Sequence, residues 1–159
     1  MTSRSLQRAV DLARTGKTDE CAPVTARAHL DIKAPAHEVF RVLADIARWP
    51  DVIPGVTRTE VLQEPLDTGS RFTWRNRGVP LRSTIQRIAP DQELTWTGQA
   101  LWLIAVHRNT IEECDSGCRL TSEESMTGWG VRLFMPPATL ERQLQAFVRS
   151  IADEAERLL

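Results

Sequence analysis

Four polar side chains, His107, Asn109, Ser122 and Glu124, fall at alternating positions of two strand-like runs, 104–113 and 119–127. A strand turns successive side chains to opposite faces, so these four share a parity with Ile111, Leu120 and Met126, the apolar side of both runs. Pairing the runs across the turn Asp115-Ser116-Gly117 sets His107 opposite Glu124 and Asn109 opposite Ser122. A carboxyl group on an apolar face is costly to ionise unless paired, so its pKa rises. Beside an imidazole it can orient a general base that takes a proton next to a ligand carbonyl or assists loss of water. The same residues can instead be a hydrogen-bonded tie between central strands or a polar hook for a ligand, and that structural or orienting role is the expected one. No Ser-His-Asp or Cys-His pattern supplies a nucleophile.

The elements that must hold these residues follow from periodicity. Val24, Ala26, Ala28, Leu30 and Ile32 alternate with polar residues, as in a half-buried strand. Pro35 then suits the start of a helix over 36–46, where Val39, Phe40, Val42, Leu43 and Ile46 recur at helical spacing. In 49–55, two prolines and a glycine allow at most a short helical turn in a bent connector. Runs 57–63, 69–75, 81–88 and 93–100 lead to the two named above. A last helix over 139–159 carries an apolar stripe from Leu140 through Leu144, Phe147 and Ile151 to Leu158, with Thr139 as N-cap and Glu141 in its first turn. This order predicts an α+β fold, a curved antiparallel sheet of about seven strands wrapped around the long C-terminal helix. Residues 5–14 predict an extra N-terminal helix, part of an extension over 1–22 set apart from a domain over 23–159. Fraying or loose docking is the expectation for it.

The hairpins must keep one face apolar, and this fixes a register. Trp74 opposes Leu81 and Phe72 opposes Ser83; Ile85 opposes Trp96 and Ser83 opposes Gly98; Gly98 then opposes His107 and Trp96 opposes Asn109. The inner face so defined carries Phe72, Trp74, Leu81, Ile85, Leu94 and Trp96, with Trp49 closing one end from the connector. Thr73, Arg82, Thr84, Arg108 and Thr121 take the opposite parity, towards solvent. The aromatic set suits either core packing or a pocket wall. Arg75 and Arg77 are expected as solvated turn residues, with an acidic ligand group at a cavity mouth as the alternative.

Composition narrows the function classes. With 159 residues, 42% hydrophobic and 26% charged, the chain is sized for one domain that needs no metal or disulfide for stability. Twenty basic residues against 21 acidic ones leave a formal charge of -1, which favours neither nucleic acid nor a polybasic hold on membranes. No run resembles a signal peptide or a membrane span, so the expected compartment is the cytosol. There Cys21, Cys114 and Cys118 are expected as free thiols, and no metal site or cofactor is expected. The composition specifies no oligomeric state.

Ile32-Lys33-Ala34-Pro35-Ala36-His37-Glu38-Val39-Phe40, Asp45-Ile46-Ala47-Arg48-Trp49-Pro50 and the run Gly117-Cys118-Arg119-Leu120-Thr121-Ser122-Glu123-Glu124 resemble one known group. It is the START-like, polyketide cyclase/dehydrase (SRPBCC) superfamily, with the helix-grip fold of the birch-pollen allergen. The likeness spans about 24–159 and implies a hydrophobic cavity for lipids, polyketides, hormones or quinones. Some relatives only bind or carry, and others cyclise, dehydrate or hydroxylate. The hydroxylase branch carries fused iron-sulfur modules that this sequence lacks, so that branch is not expected. The leading expectation is binding or carrying of a hydrophobic small molecule. Trp49, Phe72, Trp74, Leu81, Ile85, Trp96, Leu144 and Phe147 would supply apolar contact, and His107, Asn109, Ser122 and Glu124 would orient its polar end. The alternatives are a cofactor-independent cyclase/dehydratase transferring protons through His107 and Glu124, and a protein-interaction module using the N-terminal helix or the cavity rim.

Overall fold

Period-two patterning gives seven strands, and the apolar stripe of the last helix gives the element they enclose. The computed structural model describes residues 3–159, so the first two residues of the expected extension lie outside the described residues. The chain runs α1 (Ser3–Arg14), β1 (Val24–Ile32), α2 (Ala36–Ala44), a 3-10 turn (Ile46–Arg48), α3 (Trp49–Val52), β2 (Val56–Val61) and β3 (Arg71–Asn76). It continues through β4 (Val79–Ala89), β5 (Glu93–Ala100), β6 (Leu103–Cys114), β7 (Gly117–Thr127), α4 (Val131–Phe134) and α5 (Pro137–Arg157). The strands form one antiparallel sheet in the order β1-β7-β6-β5-β4-β3-β2. Its first and last strands in sequence are therefore neighbours, and α5 packs inside the curl against β1, β7 and α2. Leu140, Leu144, Phe147, Val148 and Ile151 are buried there together with Phe72, Ile85, Trp96 and Leu120 from the sheet.

Three of the expected hairpin registers hold. Trp74 pairs with Leu81, Ile85 with Trp96, and His107 with Glu124. The fourth is corrected by two residues: Trp96 pairs with His107 and Gly98 with Ala105. The cause is a tight turn in which only Leu101 and Trp102 separate the pair Ala100 and Leu103, with Leu101 at φ 54°. An even shift preserves parity, so the side chains of β5 and β6 stay on their expected faces, while a bulge at Gln86 in β4 turns Arg87 outward and Ile88 inward. The C-terminal helix also begins earlier than expected, at Pro137, with Pro136 as N-cap and no side-chain cap bond. Proline suits that first position because its missing N–H is one the helix cannot use. Thr139 lies inside the first turn, accepting a bond from Arg142.

The outer face is less open than its polarity implies. α1 lies across β4, β5 and β6, and Ala9 and Ala13 meet Ile104 and Val106 in a second buried cluster. Gln86, Thr95 and Thr97 are buried on this side, and Arg14 Nε donates to Gln86 Oε1 at 3.3 Å. The linker after α1 is fixed too: Arg8 forms a two-pronged bond with Asp19, whose N–H donates to Ser125 Oγ. Of the expected fraying or loose docking, fraying is not what is seen: the helix is docked, its small alanines packed against Ile104 and Val106. The three thiols are free; Cys114 pairs with Gly117 and Cys118 with Glu113, which turns the two to opposite faces. Among the described residues, no helix is long and apolar enough to cross a membrane.

The docking has a direct test. Ala13→Asp would place a carboxylate against Ile104 and Val106, at an expected cost of about 2–3 kcal/mol. The readout is the urea midpoint, and a shift worth less than about 0.5 kcal/mol would show that α1 does not need this contact.

Candidate ligand cavity

Between the inner face of the sheet and α5 lies a cavity of about 320 Å³, within the range that accommodates small molecules. Trp74, Leu81, Leu103 and Met126 from the strands and Leu140, Leu144 and Phe147 from α5 make most of its wall apolar. Its polar groups are few. His107 and Glu124 line it from adjacent central strands, and Asn76, Arg77 and Gln143 line it towards solvent. Ile53 and Pro54 approach from the bent connector after α3.

His107 is held from several directions. Its ring is 4.4 Å from that of Trp96 and 5.3 Å from that of Phe147, centroid to centroid. Its Nε2 lies 2.7 Å from Ser122 Oγ, a hydrogen bond whose direction depends on the tautomer. Its Nδ1 is 3.8 Å from Glu124 Oε2, too far for a hydrogen bond but close enough for one bridging atom. Asn109 donates Nδ2 to the Leu94 carbonyl, while its Oδ1 meets no partner with hydrogen-bond geometry. Even so, the carboxamide lies near enough to the His107 ring to favour its protonated form, an effect that burial outweighs.

Burial decides the charge of both groups. It pushes the His107 imidazole down from 6.5 to about 3, and the Glu124 carboxyl up from 4.5 to about 7. Although Glu124 is heavily desolvated, 16% of its side chain remains accessible, on the cavity side. The imidazole is therefore neutral at pH 7, and the carboxyl is close to half-protonated. Burial thus brings the range of the Glu124 carboxyl, rather than that of the His107 imidazole, close to neutrality.

Of the residues expected around a ligand, Trp74, Leu81, His107, Glu124, Leu144 and Phe147 line the cavity. Trp49, Phe72, Ile85, Trp96, Asn109 and Ser122 lie behind its wall, all of them buried. Trp49 is the centre of this second layer, with its ring 5.7 Å from Phe72, 5.4 Å from Trp74, 5.5 Å from Trp96 and 6.2 Å from Phe147. Its Nε1–H donates to the Leu43 carbonyl, so the indole is fully used in packing. Trp74 donates to Ser83 Oγ at 3.1 Å and presents its ring to the cavity. Arg77 lines the cavity, whereas Arg75 donates to the Gly78 carbonyl in the turn. Sequence reasoning missed α4 and the place of the Leu101-Trp102 turn at the cavity, where Leu101, Trp102, Phe134 and Met135 complete the mouth. The signal was present in Leu133-Phe134-Met135, apolar residues belonging to neither a strand nor the helix stripe.

A family model described as polyketide cyclase / dehydrase and lipid transport matches residues 23–156. The chain belongs to this family. Solved structures show the same fold. A START superfamily protein from Mycobacterium smegmatis is 12% identical with a TM-score of 0.69, covering 85% of this chain and 99% of that one. The di-domain ARO/CYC of the steffimycin biosynthetic pathway is 15% identical with a TM-score of 0.71, covering 85% of this chain and 52% of that one. Ara h 8.0201 is 14% identical with a TM-score of 0.64, covering 84% of this chain and 95% of that one. No curated protein matches the chain by sequence. The fold is thus the START-like helix-grip fold, the curled sheet holding its long C-terminal helix.

The two buried groups oppose each other in their effect on stability. Between pH about 4.5 and 7 the folded chain keeps a proton on Glu124 that the unfolded chain releases, so stability falls as pH rises through that window. Between pH about 6.5 and 3 the folded chain keeps His107 neutral while the unfolded chain charges it, so stability falls as pH drops. Their slopes cancel in the overlap. Glu124→Gln should expose the histidine slope, with a melting temperature rising from pH 4.5 to 6.5. It should also relieve up to ~3 kcal/mol of destabilisation at pH 8. A pH profile parallel to that of the wild type would show that Glu124 titrates normally.

Proposed function

We propose that the chain binds a hydrophobic small molecule carrying a neutral polar group, held with that group between Glu124 and His107. The observation that carries this reading is the apolar cavity of about 320 Å³ with one carboxyl and one imidazole on its wall, 3.8 Å apart. An oxygen of a ligand hydroxyl or carbonyl fits such a gap. Either oxygen can accept from protonated Glu124, and a hydroxyl can also donate to the neutral ring; neither contact requires a buried net charge. The family description and the START-like neighbours, which include a protein of a biosynthetic pathway, support ligand binding at this place.

The near-neutral pKa of Glu124 favours a second reading, a cyclase/dehydratase working without a cofactor. Ionised Glu124 would take the α-proton of a β-hydroxy ketone, and the resulting acid would return it to the departing hydroxyl, releasing water and leaving an enone. His107 would position the carbonyl, since an imidazole with a pKa of about 3 is a weak base.

Binding is tested with 1-anilinonaphthalene-8-sulfonate, whose emission rises in an apolar site. Leu81→Trp adds bulk on the wall beside Trp74 and should weaken the probe's affinity at least tenfold. Unchanged affinity would place the probe outside the cavity and sink the proposal. The two readings then separate on Glu124→Gln: a carrier still binds its ligand at pH 7, because the amide donates as the protonated carboxyl does, whereas a dehydratase loses turnover of a β-hydroxy ketone by at least a hundredfold while still binding it.

A further inference from the structure

Large apolar side chains are exposed at and beside the mouth of the cavity: Leu101 (74%) and Phe134 (60%) line the mouth, and Trp129 (84%) and Leu133 (82%) stand next to them in the chain segment 128–134. Trp102, which lines both the mouth and a neighbouring surface groove shared with Trp129, joins them into one patch. Trp102 donates its Nε1–H to the Trp129 carbonyl at 2.8 Å and meets the Phe134 ring edge-on at 5.5 Å. Its neighbour Leu101 lines the mouth with it.

The backbone presents these side chains outward by construction. Gly128 takes φ 155°, which side chains rarely adopt, and a Cβ there would meet the Trp102 carbonyl at 3.1 Å as well as Leu103 Cδ2, so glycine lets the segment press against β6. Gly130 takes φ 68°, a left-handed conformation that turns the chain into α4. Val131 is buried beneath, a pin that leaves Leu133 and Phe134 facing away from the core.

Charge distinguishes among possible occupants. The segments that frame the mouth, 53–55, 76–81, 99–103 and 128–136, contain no acidic residue and two arginines, Arg77 and Arg132, although the whole chain carries -1. The next acidic residue in the chain, Glu141, lies in the second turn of α5. Exposed tryptophans beside aliphatic residues and arginines suit the boundary between lipid headgroups and acyl chains, where an indole keeps one polar edge wet. Anionic headgroups answer the two arginines.

We infer that this rim docks the cavity mouth onto a lipid bilayer bearing anionic headgroups. In that pose the cavity opens into the acyl region, and an apolar molecule passes between the two without crossing water. The inference concerns the rim alone and holds whether or not the cavity binds the molecules proposed above.

The experiment is flotation of the full chain with ligand-free vesicles, of phosphatidylcholine alone and of phosphatidylcholine with phosphatidylglycerol at about 7:3. The wild type should float with the anionic vesicles, and raising the salt should release it. Trp129→Ser combined with Leu133→Ser should cut partitioning at least tenfold, with an unchanged melting temperature because both side chains are exposed. Arg132→Glu should cut it at least threefold. Absence of flotation, or flotation that the double variant leaves intact, overturns the proposal. So does a wild-type dimer in sedimentation velocity that the double variant converts to monomer while flotation is absent, because the rim would then be an interface between copies of the chain.

Discussion

A carboxyl and an imidazole placed side by side on the inner face of a closed-up sheet cannot both keep their solution charges, and much of the site follows from that constraint. Glu124 lies in a row running from Ala26 on β1 through His107 on β6 to Trp96 on β5 and Ile85 on β4. No arginine or lysine stands in that row to compensate it. Desolvation therefore acts alone on Glu124, and it outweighs the help Asn109 gives His107. The cavity floor is polar in its hydrogen bonding yet close to neutral in its charge, a surface suited to oxygen atoms of an uncharged molecule.

The cationic groups of the sheet are kept on its other side. Glu93, Arg87, Arg108 and Glu123 form a chain of ion pairs on the outer face, with N–O distances of 3.0 to 3.2 Å. Thr95 donates to Glu93 from the same side. Exposed links of this kind contribute little each, and a network partly sheltered by neighbours contributes more. Its consequence for the site is separation: the buried pair feels the tryptophans and Phe147, and the charged network feels solvent and α1.

Much of this was legible in the sequence because strand parity is a rigid rule. The alternation in β6 and β7 put His107 across from Glu124, and an error of two residues in the β5–β6 register did no harm to the faces. What could not be read was depth. Trp49, Phe72, Trp96 and Trp74 all carry the same inward signal, yet only Trp74 reaches the cavity. The difference depends on where α5 crosses and on the bent connector, whose Trp49 fills the space between Phe72 and Phe147. Those are contacts between distant segments, with no trace in local periodicity. The rim was hidden for a related reason: α4 is only four residues long, too short to display a helical period. The helix α1 itself was legible, with Leu6 and Ala13 on one face, but its docking site was not, because the partners Ile104 and Val106 lie on the outer face of a distant strand.

The division between floor and mouth sets the orientation of anything that enters. A charged end would have to displace hydration at Glu124 without gaining a counter-ion, a cost that the apolar wall cannot offset. At the mouth, Arg77 remains exposed and Gln143 and Asn76 stand beside it, so a charged or strongly hydrated end is better accommodated there. A molecule with both kinds of end would therefore sit with its neutral oxygen inward and its hydrated end outward. That polarity also matches a rim of tryptophan and leucine around the entrance, because an amphipathic molecule leaving a headgroup layer must lead with its less hydrated end. The curled sheet, the neutral pair and the apolar mouth thus impose the same direction of entry.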